Sequence, residues 1–233
     1  MKVTEAIILA GGLGTRLRSA VPDLPKCMAP VAGKPFLSYV FDYYKKQGIN
    51  RFVFSLGYMH EVILDYLNKE YADLDYSFVI EEEPLGTGGA IRFACTEAIT
   101  EAPLILNGDT LFHIQLKEVS DFHFKSKSAC TLSLKPMNDF DRYGVVELNP
   151  EGTIKDFKEK KFYKKGLING GVYVLNRKSF MANDWPERFS FEKDFLEKEY
   201  HSQTLFGIVQ EGYFIDIGIP EDFTRAQTEL PAL

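Results

Sequence analysis

The stretch EAIILAGGLGTRL, residues 5–17, joins a short apolar run to a glycine-rich loop that ends in a cation. The run Glu5–Ala10 has the length and composition of a buried strand. A loop that follows a strand of an open α/β sheet faces the crevice where ligands bind, and its glycines let backbone N–H groups approach a phosphate closely. The sequence therefore predicts a phosphate-binding loop directly after the first strand.

Two common nucleotide-binding motifs do not fit this loop. A dinucleotide-binding fingerprint that starts at Gly12 needs a glycine at position 17, where the chain has Leu17. A P-loop that starts at Gly11 needs a glycine at position 16, where the chain has Arg16. Neither NAD binding nor Walker-type ATP binding is therefore predicted.

Two cations accompany the loop. Arg16 closes it, and Lys26 follows ten positions later with Pro25 before it. The planar guanidinium of Arg16 suits bidentate phosphate contacts, whereas the Lys26 ammonium is a compact point charge. Two cations and several backbone amides suit a triphosphate, and the alternative is a glycine-rich turn with solvated surface cations.

The spacing of the apolar runs predicts the fold class. In the first half, strand-like runs alternate with amphipathic helical segments, which is typical of βαβ units in a parallel sheet. The expected fold is a Rossmann-like α/β fold with a doubly wound, mostly parallel central sheet and helices on both faces. The predicted strands are 5–10, 51–56, 75–80 and 103–106, and the predicted helices are 36–47, 61–71 and 89–98.

The second half has a different pattern. From residue 129 onward, β-like runs follow one another with little helix between them, and this predicts a small antiparallel β insertion. Because its 233 residues contain no internal repeat or linker, the chain is expected to form a single domain. The predicted strands are 129–135, 143–148, 153–157, 167–175, 204–209 and 213–217, and the predicted helices are 191–200 and 221–229.

Composition and charge exclude several classes of protein. The 27 Lys+Arg and 33 Asp+Glu residues give a formal net charge of −6, whereas nucleic-acid binders usually carry a basic face. The longest apolar run is far too short for a membrane-spanning helix, and the N-terminus lacks the pattern of a secretory signal. Three widely spaced cysteines are typical of reduced thiols. We expect a cytoplasmic protein that binds neither nucleic acid nor membrane, with a homo-oligomeric state left open.

Two aspartates lie at or near the ends of apolar runs. Asp109 follows the run 103–106 through Asn107 and Gly108, and Asp216 lies in the run 213–217. A carboxylate at the end of a buried strand is costly unless something satisfies it, and a hard divalent cation is the simplest candidate. The alternative for either aspartate is a turn or helix-capping role.

The motif GGLGTR, residues 11–16, together with Pro25-Lys26 resembles the opening motif of the sugar-1-phosphate nucleotidyltransferases. The resemblance covers essentially the whole chain and implies a nucleotide-binding half at about 1–128 and a sugar-binding half at about 129–233. It also implies transfer of a nucleotidyl group to a sugar 1-phosphate with Mg²⁺ as cofactor. The further motifs, in the family's order, are PLGTGG (84–89), NGD (107–109), YGVV (143–146), EK (159–160), NGG (169–171) and DIG (216–218).

Two stretches narrow the resemblance within the family. Residues 138–144 and 166–171 are similar to those of guanylyltransferases that act on a heptose 1-phosphate for lipopolysaccharide or capsule synthesis. The implied partners are GTP and D-glycero-α-D-manno-heptose 1-phosphate. Guanylyl transfer to mannose 1-phosphate, uridylyl transfer to another sugar 1-phosphate and a non-catalytic nucleotide-sugar sensor are the alternatives.

The resemblance also implies roles for single residues. Arg16 stabilises the departing pyrophosphate, Lys26 bridges phosphates near the reacting centre, and Asp109 and Asp216 hold Mg²⁺. The positions implied to bind the nucleotide are Leu9, Ala10, Gly11, Gly12, Gly14, Thr15, Glu81, Pro84, Gly86, Thr87 and Gly108.

On the sugar side, the resemblance implies that Glu159 contacts hydroxyl groups and that Lys160 contacts the sugar phosphate. Lys161 departs from the family pattern, because many relatives carry a proline there. The positions implied to line the sugar pocket through backbone or amide groups are Gly144, Asn169 and Gly170.

Glu81 bears on the identity of the base. It opens the segment 81–88, which forms the base pocket in the family. Guanine presents N1–H and N2–H₂ donors that a carboxylate can accept, whereas cytosine presents an acceptor at N3. Uracil and thymine flank their N–H donor with carbonyl groups that a carboxylate disfavours. The sequence therefore favours guanine, and the alternative is that the three glutamates 81–83 are simply solvated.

Overall fold

Strand β1 (Glu5–Ala10) lies at the centre of the computed structural model, which describes residues 1–12, 21 and 23–233. It pairs in parallel with β4 (Arg51–Leu56) on one side and with β6 (Leu104–Asn107) on the other. Strand β5 (Asp75–Ile80) extends the parallel sheet beyond β4. Because parallel strands end at the same edge of a sheet, the segments that follow β1, β5 and β6 lie along one edge.

The sheet continues beyond β6 with a change of direction. Strand β11 (Tyr163–Leu175) runs antiparallel to β6, and β8 (Cys130–Phe140) runs antiparallel to β11. Strand β12 (Leu205–Val209) then pairs in parallel with β8. In this row of strands, β11 is therefore the one that runs against the others.

Short antiparallel pairs complete the β structure. Strand β9 (Val145–Leu148) pairs with β10 (Ile154–Lys158) as a hairpin, and one residue of β9, Val145, also pairs with Ile168 of β11. Two small sheets stand apart from the main one. The first small sheet pairs β2 (Pro30–Val31) with β3 (Lys34–Pro35), and the second pairs β7 (Thr110–Phe112) with β13 (Phe214–Asp216).

The helices connect these strands and cover both faces of the sheet. A π-helical turn (Phe191–Leu196) leads directly into the short helix α6 (Glu197–Glu199). The 3₁₀ turns cover Lys26–Met28, Tyr200–Ser202 and Leu230–Ala232. The α-helices are α1 (Phe36–Lys46), α2 (His60–Glu70), α3 (Gly86–Ala94), α4 (Leu116–Ser126), α5 (Arg177–Met181), α6 (Glu197–Glu199) and α7 (Pro220–Glu229). Among the described residues, no helix combines the length and the apolar composition needed to cross a lipid bilayer.

Side-chain alternation along β1 separates two apolar layers. Ile8 belongs to the layer under α1 and Ile7 to the opposite one, as the two-residue period of a strand requires. In the first layer, the ring of Phe41 on α1 packs edge-on against Phe52 and Phe54 of β4, with centroid distances of 5.3 and 5.6 Å. Both faces of the sheet are therefore buried, as expected for a doubly wound fold.

The opposite layer contains a group of aromatic side chains. Residues 185–191, here called the strap, run irregularly from Trp185 to the start of the π-helical turn. The rings of Trp185 and Phe189 stack with a centroid distance of 5.1 Å, and Phe191 lies 5.8 Å from Phe180 of α5. Phe191 also packs against Tyr173 of β11 at 5.1 Å, and the Phe189 carbonyl accepts from the Gly88 N–H of α3, so the strap is fixed against the sheet and beside α3.

The predicted fold class is confirmed. The first three predicted strands match β1, β4 and β5, and the fourth, 103–106, is β6 shifted by one residue. The predicted insertion differs in extent, because β8, β11 and β12 join the main sheet. The antiparallel side structure is limited to β9, β10 and the adjoining parts of β8 and β11.

Candidate active site

A cavity of about 490 Å³ opens at the edge of the sheet where β1 and β6 end. Its wall combines backbone of small residues with one lysine and two acidic side chains. The lining residues are Leu9, Ala10, Gly11, Gly12, Lys26, Cys27, Glu81, Pro84, Gly86, Thr87, Ala90, Asn107, Gly108 and Asp109. The structure thus brings most of the predicted nucleotide-binding residues into one site.

Close packing at the end of β1 explains the first glycine of the loop. A Cβ atom on Gly11 would lie 2.7 Å from Oε1 of Glu81, so a larger residue would push against that carboxylate. Among the described residues, none would lie within 4 Å of a Cβ on Gly12, which also lines the cavity.

Lys26 lies between the two aspartates that the sequence singled out. Its ammonium forms an ion pair with Oδ2 of Asp109, and it lies 3.9 Å from Oδ1 of Asp216. The Lys26 side chain is 12% exposed, whereas those of Asp109 and Asp216 are 31% and 26% exposed, so water partly screens these charges. Three residues that are distant in sequence therefore form one charged cluster, and two of them, Lys26 and Asp109, line the cavity.

Backbone pairing brings the two aspartates together. Gly108 donates its N–H to the carbonyl of Leu9 at 2.9 Å, which fixes the turn between β6 and Asp109. Strand β13 pairs with β7, and the N–H of Ile217 donates to the Asp109 carbonyl at 3.1 Å. The Gly218 N–H donates to Oδ1 of Asp216 at 2.7 Å and so orients this carboxylate.

Glu81 is held firmly at the cavity wall. Its Oε1 accepts from the Ser55 hydroxyl at 2.9 Å, and its Oε2 accepts from the Leu85 N–H at 3.1 Å. Each carboxylate oxygen has a further lone pair, so the group retains acceptor capacity toward a ligand. The carboxylate is therefore fixed in position before any ligand binds.

The glycines of the second glycine-rich loop accommodate the strap. A Cβ on Gly86 would lie 2.5 Å from the Phe189 carbonyl oxygen, and a Cβ on Gly88 would lie 2.3 Å from the Phe189 ring. The Gly88 N–H donates to the same carbonyl at 3.0 Å. The first turn of α3 is therefore already bonded to the strap.

Thr87 connects α3 to the π-helical turn. Its hydroxyl donates to Oε2 of Glu192 at 2.7 Å and accepts from the Phe191 N–H at 2.9 Å. Thr87 lines the cavity, as the sequence predicted, but its hydroxyl group is used in these internal bonds. Thr87 therefore also stabilises the structure of the site.

Comparison with known proteins gives the family. A family model described as "Nucleotidyl transferase" matches residues 5–232. The chain belongs to the nucleotidyl transferase family. The match extends over the cavity, Lys26 and both aspartates, and it confirms the sequence-based resemblance.

Individual relatives are similar over nearly their whole length. The chain is 49% identical over 226 residues to D-glycero-alpha-D-manno-heptose 1-phosphate guanylyltransferase of Aneurinibacillus thermoaerophilus, covering 97% of this chain and 98% of the relative. It is 46% identical over 219 residues to the protein of the same name from Campylobacter jejuni, covering 94% and 96%. The structure of HddC from Yersinia pseudotuberculosis is 38% identical with a TM-score of 0.84, covering 97% and 98%, and that protein has also been solved complexed with GMP-PN.

The residues predicted on the sugar side lie away from the cavity wall. None of Gly144, Glu159, Lys160, Asn169 and Gly170 is among the described lining residues. They lie around the β9–β10 hairpin and along β11, and Glu159 and Lys160 are exposed. The sequence-predicted sites thus fall into a nucleotide-side group at the cavity and a sugar-side group on the second half of the chain.

Two contacts tie parts of the sugar-side group in place. A Cβ on Gly144 would lie 2.4 Å from the Lys158 carbonyl oxygen, so the backbone at residue 144 packs closely against the end of β10. The Asn169 side chain donates to the Tyr173 hydroxyl at 2.9 Å and accepts from the Gly171 N–H at 3.0 Å. Both positions therefore have a defined geometry in this nucleotidyl transferase.

Three predicted residues, Gly14, Thr15 and Arg16, lie outside the described residues. Conversely, Cys27, Ala90 and Asn107 line the cavity although they were not predicted as site residues. Burial, followed by the charge of Asp109, raises the pKa of Cys27 to about 12, so this thiol is a packing group at neutral pH. Asn107 lies inside the NGD motif, and that motif was the signal that could have identified it.

Proposed function

We propose that this protein transfers a guanylyl group from GTP to D-glycero-α-D-manno-heptose 1-phosphate, releasing pyrophosphate and a GDP-sugar for surface-glycan synthesis. The observation that carries the proposal is the convergence of Lys26, Asp109 and Asp216 in one charged cluster, two of whose members, Lys26 and Asp109, line the cavity. The two heptose 1-phosphate guanylyltransferases that are 49% and 46% identical to the chain support the choice of nucleotide and sugar.

The reaction requires alignment and charge neutralisation more than proton transfer. A phosphate oxygen of the sugar 1-phosphate attacks the α-phosphorus of GTP, a new P–O bond forms, and the bond to the β-phosphate oxygen breaks. The electron pair of that bond leaves with pyrophosphate. Because the sugar phosphate is already ionised near neutral pH, no general base is needed.

Lys26 supplies positive charge at the reacting phosphates. Its ammonium is held beside two carboxylates, and the residue lines the cavity. A preorganised cation of this kind stabilises developing charge without rearrangement during the reaction. Arg16 is proposed, from the sequence motif, to stabilise the departing pyrophosphate.

Asp109 and Asp216 are proposed to hold Mg²⁺. Their hard oxygen donors suit this ion, and both carboxylates face one position that already attracts a cation, the Lys26 ammonium. The described residues contain no group of three or more His, Cys, Asp or Glu that could hold a metal. A site with two carboxylates fits an ion that takes its remaining ligands from phosphates and water. When bound, Mg²⁺ would neutralise phosphate charge.

Recognition of the base and the sugar divides between the two groups of residues. Glu81 is proposed to accept from the N1–H and N2–H₂ of guanine, in line with its fixed position and remaining lone pairs. Glu159 and Lys160 are proposed to contact the sugar hydroxyls and the sugar phosphate. Gly144, Asn169 and Gly170 are proposed to complete that pocket.

A substrate matrix tests the proposal. Pyrophosphate release is measured with GTP, ATP, CTP and UTP, each against the heptose, mannose and glucose 1-phosphates. We expect the highest kcat/KM with GTP and the heptose, and a loss of about 10² to 10³ in turnover for Asp109→Asn. The matched control is Asp121→Asn, which removes an exposed ion pair on α4 and should leave turnover unchanged.

Each of the other outcomes contradicts a defined part of the proposal. A preference for UTP would contradict the role of Glu81, and a preference for mannose 1-phosphate would contradict the choice of sugar. Binding of GTP without pyrophosphate release from any pair would indicate a nucleotide-sugar sensor. Full turnover in Asp109→Asn would contradict the proposed site.

A further inference from the structure

A second charged cluster lies next to the site, at the first turn of α7. Asp222 is 5% exposed, and its carboxylate forms ion pairs with two arginines. Its Oδ2 lies 2.8 Å from Nη2 of Arg142, and its Oδ1 lies 2.9 Å from Nη1 of Arg225. Because burying an unpaired carboxylate costs free energy, these two ion pairs stabilise the position of the Asp222 side chain.

The two arginines differ in what they join. Arg225 lies one turn further along α7, so its pair with Asp222 stays within one helix. Arg142 lies in the segment 141–144 between β8 and β9, here called the Arg142 loop. Its pair with Asp222 therefore connects two parts of the fold that the chain itself does not connect nearby.

Both ends of this connection lead to proposed substrate-binding groups. The Arg142 loop ends at Gly144, whose backbone packs against the Lys158 carbonyl just before Glu159. On the other side, α7 begins two residues after Gly218, whose N–H orients Asp216. The ion pair thus fixes the distance between the sugar-side loop and the Asp216 segment.

Packing and charge reinforce the same connection. The Arg142 guanidinium lies 5.7 Å from the Tyr143 ring centroid, and that ring packs edge-on against Phe214 of β13 at 6.1 Å. Although partial burial opposes it, the hydrogen bond to Asp222 and the nearby charges, which include Asp216, raise the pKa of Arg142. Arg142 is therefore coupled to the segment that carries Asp216.

We propose that Arg142 is a positioning residue, which acts through Asp222 to hold the Arg142 loop where the sugar 1-phosphate binds. This inference rests on the proposed function and adds a residue that determines the affinity for the sugar substrate. The nucleotide side of the cavity does not depend on it, because β1, β6 and α3 carry those residues.

Steady-state kinetics of four variants test this inference. Arg142→Met and Asp222→Asn should each raise KM for the sugar 1-phosphate about tenfold and leave KM for GTP within about twofold. The double variant should be no worse than either single variant, because both changes break one interaction. Arg225→Met removes a cation from the same carboxylate and is the matched control, although it also loses the ion pair to Glu229 at 3.1 Å and a contact at 3.5 Å to the Phe214 carbonyl.

Several outcomes would overturn the inference. If Asp222→Asn keeps a wild-type KM while Arg142→Met raises it, Arg142 does not act through Asp222. If Arg225→Met raises KM as much as Arg142→Met, only the neutralisation of Asp222 matters. An equal rise in KM for GTP, or additive effects in the double variant, would also contradict it.

Two further measurements distinguish a failure of this inference from a failure of the proposed function. If the wild-type protein uses another sugar 1-phosphate, the same four variants are measured with that substrate. A double-mutant cycle on the free energy of unfolding measures the coupling between Arg142 and Asp222 without any substrate. A structural pair alone would show this coupling without a selective change in KM, and that result would refute the positioning role.

Discussion

At the residue scale, Lys26 combines a structural and a proposed chemical role. It is nearly buried, and its ammonium faces carboxylates from two different parts of the chain. The cation offsets the repulsion between these two negative carboxylates, whose side chains are 31% and 26% exposed. The residue that is proposed to bind phosphate therefore also makes the two aspartates compatible as neighbours.

We expect Lys26→Met to lower turnover by about 10² to 10³, because the preorganised cation is lost. Pyrophosphate release with GTP and the sugar 1-phosphate measures this loss. Lys34→Met, at an exposed lysine on β3, is the matched control and should keep full activity. Wild-type turnover in Lys26→Met, with an unchanged melting temperature, would show that Lys26 is not part of the reaction.

The same scale shows what the sequence revealed and what it did not. The sequence predicted Lys26 as a cation that accompanies the glycine-rich loop, and Asp109 and Asp216 as carboxylates at positions that solubility does not explain. Their contact depends on the pairing of β7 with β13. These strands have three residues each, which is too short for a periodic pattern to indicate their partners.

At the scale of elements, the strap and α3 form one unit. The strap covers the glycines of α3, and Thr87 bonds to both Phe191 and Glu192. The sequence pattern suggested a glycine-rich loop that serves a ligand. The structure shows that the same glycines first make room for Phe189, because their missing side chains permit the close approach.

Thr87→Val should destabilise the protein by about 1 to 3 kcal/mol, because it leaves the Phe191 N–H without an acceptor and removes a donor to Glu192. Urea denaturation measures the free energy of unfolding. The emission of Trp185, the single tryptophan, reports on the strap. Thr96→Val, at an exposed hydroxyl that bonds within its own turn, is the control. Equal stability of both variants would contradict the proposed link.

Helix α4 shows why some elements escaped prediction. Its buried positions are Leu116, Val119, Ser120 and His123, which have the spacing of one helical face. Two of these four side chains are polar, so no apolar period is visible in the sequence. Strand β11 was predicted only from residue 167, because Lys164 and Lys165 in its first part are exposed and look like a solvated run.

At the scale of the whole molecule, His123 links stability to pH. Burial lowers its pKa from the ordinary value of 6.5 to about 4, and its Nδ1 lies 2.9 Å from the Thr131 hydroxyl. The unfolded chain therefore binds a proton between these values that the folded protein does not bind. Stability is fully present above about pH 6.5 and is lost as the pH falls toward 4.

This effect amounts to about 3 kcal/mol over the whole interval. We expect His123→Gln to remove this part of the acid dependence, measured as the free energy of unfolding at several pH values from 7 to 4. His201→Gln, at an exposed histidine, should keep the wild-type slope. A slope in His123→Gln equal to that of the wild type would show that His123 does not titrate in this interval.

The overall architecture was the most predictable level. Both layers of the sheet follow from short apolar runs, such as Glu5–Ala10, that alternate with amphipathic helical segments along the chain. The sugar-side group, in contrast, was predicted from the family resemblance alone, since Lys158 to Lys161 has no pattern that distinguishes it from a solvated surface.

Strand β11 connects the two halves of the chain. Its last part pairs antiparallel with β6 of the first half, and its first part pairs with the far end of β8. A gene cut between residues 128 and 129 would leave the first fragment with the bare edge of β6, which invites aggregation. We expect the two fragments to regain a native structure only by folding together. Residues 1–128 of this enzyme would therefore not serve as an independent nucleotide-binding domain.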